Sequence, residues 1–189
     1  LTQYLTFENG LVVWHRPDGG RVAFSNATGS WLVQGGQFET LVRGANDVIT
    51  LQDQTKLTFQ NASAGHLLSI TNRFGKALTI TGWGTSTVTA TDAASRATTL
   101  GFTGSLITSA TDSAGRAWGF AYTGTNLTTL TDPASKTTTF AYSGSKVTTI
   151  TRTRTKAAGG TDSIVWAIGY TNGLVTSVPD PIGAATGGT

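Results

Sequence analysis

The sequence predicts an all-β protein made of tandem antiparallel β-hairpin repeats, about 20 residues each, forming a curved sheet that can spiral. Three observations carry that expectation. Asn72, Asp92, Asp112 and Asp132 recur at a fixed interval, as do Lys76, Arg96, Arg116 and Lys136, and Gly84, Gly104, Gly124 and Gly144. Thr71, Thr91, Thr111, Thr131 and Thr151 fill another column without exception. A period held this long marks a unit that buries its apolar face by stacking on its neighbours. Second, charged residues make up only 12% of the 189-residue chain, about half the usual share, and Thr, Ser and Gly stand in their place. Threonine suits strands, whereas Lys and Glu are depleted in them. Third, each repeat carries a pair of apolar or aromatic positions two residues apart, as on one face of a strand.

Residues 1–64 read as an irregular β-hairpin run-in. LVVWHR (11–16) and RVAFS (21–25) flank Pro17-Asp18-Gly19-Gly20, a strong turn signal. SWLVQ (30–34) follows a turn at 26–29, and VITLQD (48–53) pairs naturally with TKLTFQ (55–60). Asp53 and Lys56 read as a one-residue-shorter version of the later Asp/Lys spacing.

Residues 65–151 are the regular array. Each repeat has an aromatic strand with paired columns Ile80, Leu100, Phe120, Phe140 and Gly82, Phe102, Tyr122, Tyr142. Two places apart, both members of a pair face one side. The second strand carries Leu67, Thr87, Ile107, Leu127, Val147 and, three places on, Ile70, Ala90, Ala110, Leu130, Ile150. A gap of three breaks alternation, so either a bulge re-aims one residue or both faces are partly covered. Gly104, Gly124 and Gly144 mark the tight turn between the strands, where positive φ favours Gly. The opposite turn is Thr-Asp-x-x-x-Lys/Arg, in which Asp92, Asp112 and Asp132 can accept backbone N–H groups two residues on, four residues before Arg96, Arg116 and Lys136.

Residues 152–189 read as an insertion plus a last repeat with a truncated C-terminus. Ile168 and Tyr170 restore the aromatic pair, Asn172-Gly173 the turn, Val175 and Val178 the second strand, and Asp180-Pro181 the next turn. Ala184 takes the basic position there. The chain opens and closes in strand-like sequence, so a piece of something longer is expected.

Composition excludes some function classes. There is no cysteine, which rules out disulfides and thiolate metal sites. No apolar run approaches the ~18 residues of a membrane helix. The net charge of +3 and pI near 9.5 reflect scarce acids, not dense bases. TRTRTK (151–156) is the one basic cluster and reads as a solvated hairpin tip, so nucleic-acid binding is not expected.

YTGTNLTTLTDPASKTTTFAY (122–142) and TSATDSAGRAWGFAY (108–122), with Gly115-Arg116 intact, resemble the RHS (YD) repeat family. The resemblance is strong over about two-thirds of the chain. It implies a curved β-hairpin ribbon, as in the shells of bacterial polymorphic toxins and of teneurin-like ectodomains. It further implies a secreted or cell-surface bacterial protein, whose partners are further RHS repeats or an encapsulated C-terminal domain of the same longer chain. Ser95 and Ser135 depart from the turn Gly, and Gly82 from the aromatic column. PDPIGAATGG (179–188) is similar to the family's self-cleavage motif. Tyr170 nevertheless precedes Asp180 by the ten residues that separate Tyr122 from Asp132, which favours an ordinary repeat.

No enzymatic site, cofactor or metal is expected. His15 and His66, the only histidines, lack ligand partners at metal spacing. One Asp per repeat is what scaffolding predicts. The function expected is therefore structural: a rigid β-sheet shell, stalk or fibre. The alternative is a cell-surface adhesion module binding glycans or protein through Thr-rich faces and Trp14, Trp31, Trp83, Trp118 and Trp166. Sequons begin at Asn26, Asn61 and Asn126 but arise easily in a chain this rich in Thr and Ser. Unpaired terminal strands would favour edge-to-edge self-association.

Overall fold

A computed structural model describes residues 3–26, 29–33, 38–61, 64–155 and 160–179. The described chain is all-β, with nineteen strands paired antiparallel and no helix. They are β1 (Tyr4–Glu8), β2 (Leu11–His15), β3 (Arg21–Asn26), β4 (Trp31–Val33), β5 (Thr40–Val42), β6 (Asn46–Thr50), β7 (Lys56–Gln60), β8 (Ala64–Thr71), β9 (Ala77–Thr81) and β10 (Thr87–Thr91). There follow β11 (Ala97–Thr103), β12 (Leu106–Thr111), β13 (Ala117–Thr123), β14 (Asn126–Thr131), β15 (Thr137–Ser143), β16 (Lys146–Thr155), β17 (Thr161–Ala167), β18 (Gly169–Thr171) and β19 (Leu174–Ser177). The strands fall into two compact units, Leu1–Thr98 and Thr99–Thr189.

In the first unit each strand from β1 to β8 pairs with the next, and β8 returns to β1 through Tyr4↔His66, Leu5↔Gly65 and Thr6↔Ala64. The irregular hairpins thus close into an eight-stranded antiparallel ring, a size whose interior side chains fill or nearly fill. Cross-strand pairs build that interior: Leu5 with Trp14, Val12 with Phe24, Leu41 with Ile49, Phe59 with Leu67, all buried. Each such side chain contributes roughly 1.5–3 kcal/mol. The seam needs Gly65, because a Cβ there would lie 2.8 Å from the Gln60 carbonyl oxygen and 3.1 Å from Leu5 Cβ. β9 and β10 form a hairpin on the far half of β8, next to the stretch that β1 occupies.

Two sequence readings are corrected here. Leu51, not Asp53, takes the first turn position: Leu51 N–H donates to the Thr55 carbonyl and Gln54 N–H to the Leu51 carbonyl. Asp53 sits two places on and caps Thr55, so it is no early copy of the Asp/Lys pair. Likewise TRTRT is strand, not hairpin tip. Arg152 lies opposite Thr138 and Ile164, and Arg154 pairs with Asp162 at 2.8 Å across β16 and β17.

The second unit is a meander from β11 to β17, with β18 and β19 as a separate hairpin. The register puts Trp118, Phe120 and Tyr122 on one face, opposite Ala110, Leu130 and Leu127 respectively. The other face carries rows of small residues such as Thr129, Thr139 and Thr151. Among the described residues from Thr99 onward none is buried. Its described strands β11–β17 follow one another as a single antiparallel meander, with the side chains of the apolar face partly exposed.

Candidate functional site

Asn72, Asp92, Asp112 and Asp132 each anchor a turn by side-chain hydrogen bonds. At Asp92, one carboxylate oxygen accepts the N–H groups of Ala94 (2.9 Å) and Arg96 (3.0 Å), while the other accepts from the Arg96 guanidinium at 2.6–2.7 Å. Asp112 repeats this with Ala114 and Arg116. Asp132 accepts from the N–H groups of Ala134 and Lys136, and Asn72 does the same for Phe74 and Lys76. The side-chain bond from Arg96 and that from Arg116 are the main reasons why Asp92 and Asp112 titrate below the ordinary range. The backbone turns back in the same way each time: Ser95 N–H reaches the Asp92 carbonyl, and Asp92 N–H the Arg96 carbonyl. That is a three-residue hairpin loop with a left-handed third residue. Gly115 holds that position with φ 78°, but Ser95 and Ser135 hold it with φ 62° and 59°.

At the opposite end, Gly104, Gly124 and Gly144 have φ near 60° and open two-residue turns, the geometry that favours Gly at the first central position. Just beyond each turn lies a bulge. Ala121 faces Thr129 while Tyr122 faces Leu127, leaving Thr128 as the extra residue. The same irregularity occurs at Phe102 and Tyr142, and in the last hairpin at Tyr170. Of the two explanations for the three-residue gap, the bulge is the one found.

The aromatic column ties one repeat to the one before it. The Tyr142 hydroxyl donates to the Leu127 carbonyl at 2.8 Å, and the Tyr170 hydroxyl to the Val147 carbonyl at 2.8 Å. Where Gly82 interrupts the column, Trp83 donates its indole N–H to the Leu67 carbonyl, also at 2.8 Å. Gly82 is required there, since its φ is +85° and a Cβ would overlap the Thr87 carbonyl oxygen. The sequence reading missed this substitution, because Trp83 sits one place off the Tyr column. Asp180, Pro181 and Ala184 lie outside the described residues.

The aromatic face of the second unit holds a groove of about 490 Å³. Trp118, Leu130, Ile150, Trp166, Ile168 and Val178 supply its apolar walls, and Asp132, Lys136 and Arg152 its charged rim. Aromatic walls with a few charged groups suit an extended polar ligand with apolar faces. Both histidines are engaged in the first unit. His15 stacks on Tyr4 at 4.4 Å and contacts the Thr6 hydroxyl at 2.8 Å, while His66 stacks on Trp83 at 4.5 Å. The sequon amides are engaged as well: Asn26 accepts from Gly29 N–H, Asn61 bridges Arg43 and the Gly44 carbonyl, and Asn126 donates to the Gly144 carbonyl. Among the described residues no group of three or more His, Cys, Asp or Glu is placed to hold a metal. The chain matches no protein-family model and no curated protein.

Proposed function

We propose that this chain is a non-enzymatic structural segment of the RHS (YD) repeat type, from a secreted or cell-surface bacterial protein, whose product is rigid β-sheet for a shell, stalk or fibre. The observation that carries this reading is the inter-repeat lock, in which Tyr142 and Tyr170 each donate to the carbonyl beside the preceding bulge. Repeating polar groups that an active site would need free are spent on turns and registry. The partners of such a segment are further repeats or an enclosed domain of the same longer chain, which a partly exposed apolar face would accommodate.

The test is modularity. Inserting a second copy of residues 123–142 in tandem should give a soluble protein with more strand signal and equal or higher stability, as expected when neighbouring units add. Loss of folding on that insertion would count decisively against the proposal.

The groove favours a second reading, an adhesion module in which Trp118 and Trp166 stack against a glycan. Glycan-array binding that vanishes in Trp166→Ala would establish it, and absence of binding across the array would remove it.

A further inference from the structure

The groove on the second unit contains a cation that turns and registry leave unspent. Arg152 stands twenty residues after Asp132, in the column that Asn72, Asp92, Asp112 and Asp132 fill. Those four each anchor a hairpin loop, whereas at Arg152 the loop is gone and β16 runs on to Thr155. The column's anchoring group is thus replaced by a guanidinium with no turn to hold. Its cross-strand neighbours are Thr138 and Ile164, neither of which carries charge. Two residues along the same face, Arg154 meets Asp162 at 2.8 Å. Arg152 is exposed and forms no ion pair or side-chain hydrogen bond among the described residues.

The surroundings decide what such a cation can take. The groove crosses the strands from β13 to β17, with Trp118 on the first and Trp166 on the last. Leu130, Thr138 and Arg152 lie side by side between them, since Leu130 faces Thr138 and Thr138 faces Arg152. Asp132 already accepts the N–H groups of Ala134 and Lys136, and two cations of the lining stand against that one carboxylate. The excess charge is positive, so an anionic ligand complements it. Trp166 faces Ile150 and is the diagonal neighbour of Arg152, a separation of about 7–8 Å. A sugar ring lying on that indole can direct its own carboxylate at the guanidinium, which takes such a group through two parallel N–H···O bonds.

A peptide fits less well. The strand backbone beneath the groove is spent in the ladder and offers nothing to peptide N–H and C=O groups, whereas sugar hydroxyls on the open side stay in water. The volume of about 490 Å³ lies within the range of small-molecule sites, about 300–1,000 Å³, and admits a short run of rings. We propose that the groove binds an acidic polysaccharide, with a uronate ring stacked on Trp166 and its carboxylate paired with Arg152. This inference rests on the adhesion reading given above and names the class of its ligand.

The test is titration calorimetry on the whole chain with trigalacturonate and trimannuronate, each beside its neutral methyl ester, and with tetraglutamate as a charged peptide. At least one acidic trisaccharide should bind, its ester about tenfold or more weakly, and Arg152→Gln should bring the acid down to the level of the ester. Trp166→Ala should abolish binding of both. Circular dichroism verifies that each variant keeps its strand signal. Equal binding of acid and ester would overturn the assignment while leaving an adhesion module for neutral glycans in place. Binding of neither would overturn it too, and together with an empty glycan array would remove the adhesion reading as well. Tetraglutamate binding as tightly as the sugars would give the groove to acidic peptides instead. Undiminished binding of the acid by Arg152→Gln or Trp166→Ala would likewise refute the proposal.

Discussion

The indole N–H of Trp83 donates to the carbonyl oxygen of Leu67 at 2.8 Å, the same bond that Tyr142 makes to Leu127 with a hydroxyl. Leu67 and Leu127 occupy one column of the repeat, each just before a bulge. In both places an aromatic donor from the following strand pair bonds to the carbonyl beside the bulge. Different side chains bond the same backbone position, and the residue before Trp83 must be Gly because a Cβ on Gly82 would overlap the Thr87 carbonyl oxygen.

Removing the donor should therefore cost stability without altering the fold. Tyr142→Phe deletes only the hydroxyl and leaves a half-buried carbonyl short of a partner, an expected loss of about 1 kcal/mol. Urea denaturation followed by circular dichroism measures it. An unchanged midpoint would show that solvent replaces the bond at no cost.

The serines with positive φ offer the opposite change. Ser95 and Ser135 adopt a left-handed backbone that disfavours side chains, at φ 62° and 59°. Ser135→Gly should raise stability by about 0.5–1 kcal/mol once the added flexibility of Gly is set against the relieved strain. Gly115→Ala, in the equivalent turn, should lower it. Thermal melts of the two variants must move in opposite directions.

Gly82→Ala is expected to be the most damaging single methyl in the first unit. Its Cβ would meet the Thr87 carbonyl oxygen at a positive φ, and the clash lies in backbone that cannot swing aside. Overpacking of this kind costs about 1–3 kcal/mol or more. Hydrogen exchange should show faster opening of the β9–β10 hairpin, with ring strands β2 and β3 less affected.

Acid should loosen the turns. Asp92 and Asp112 titrate below their usual 3.8, chiefly because of the bonds from Arg96 and Arg116. A carboxylate depressed in the folded state contributes its full stabilisation above the unfolded value and loses it as pH falls through the folded one. Melting temperature should thus hold steady down to about pH 4 and then decline. In the double variant Asp92→Asn, Asp112→Asn the decline should be shallower. Asn72 indicates that the backbone part of the motif survives that change, since its amide oxygen accepts the same two N–H groups. A decline of equal steepness in parent and variant would assign the acid sensitivity to other groups, such as Glu8, which Thr6 and then Arg21 hold below its usual range.

Much of this molecule is decided within twenty residues at a time. The Asp-anchored loop, the Gly turn and the two-residue alternation of the aromatic strand are satisfied by near neighbours in the chain, so composition and spacing were enough to place them. The gap of three left a bulge and two covered faces equally open, and the strand register decided for the bulge. Closure of the ring is different, because Leu5 meets Gly65 across sixty residues and no local pattern links an N-terminal strand to that glycine. Local hydrogen bonding could be read from the sequence, whereas what the interior encloses depended on which distant edges met.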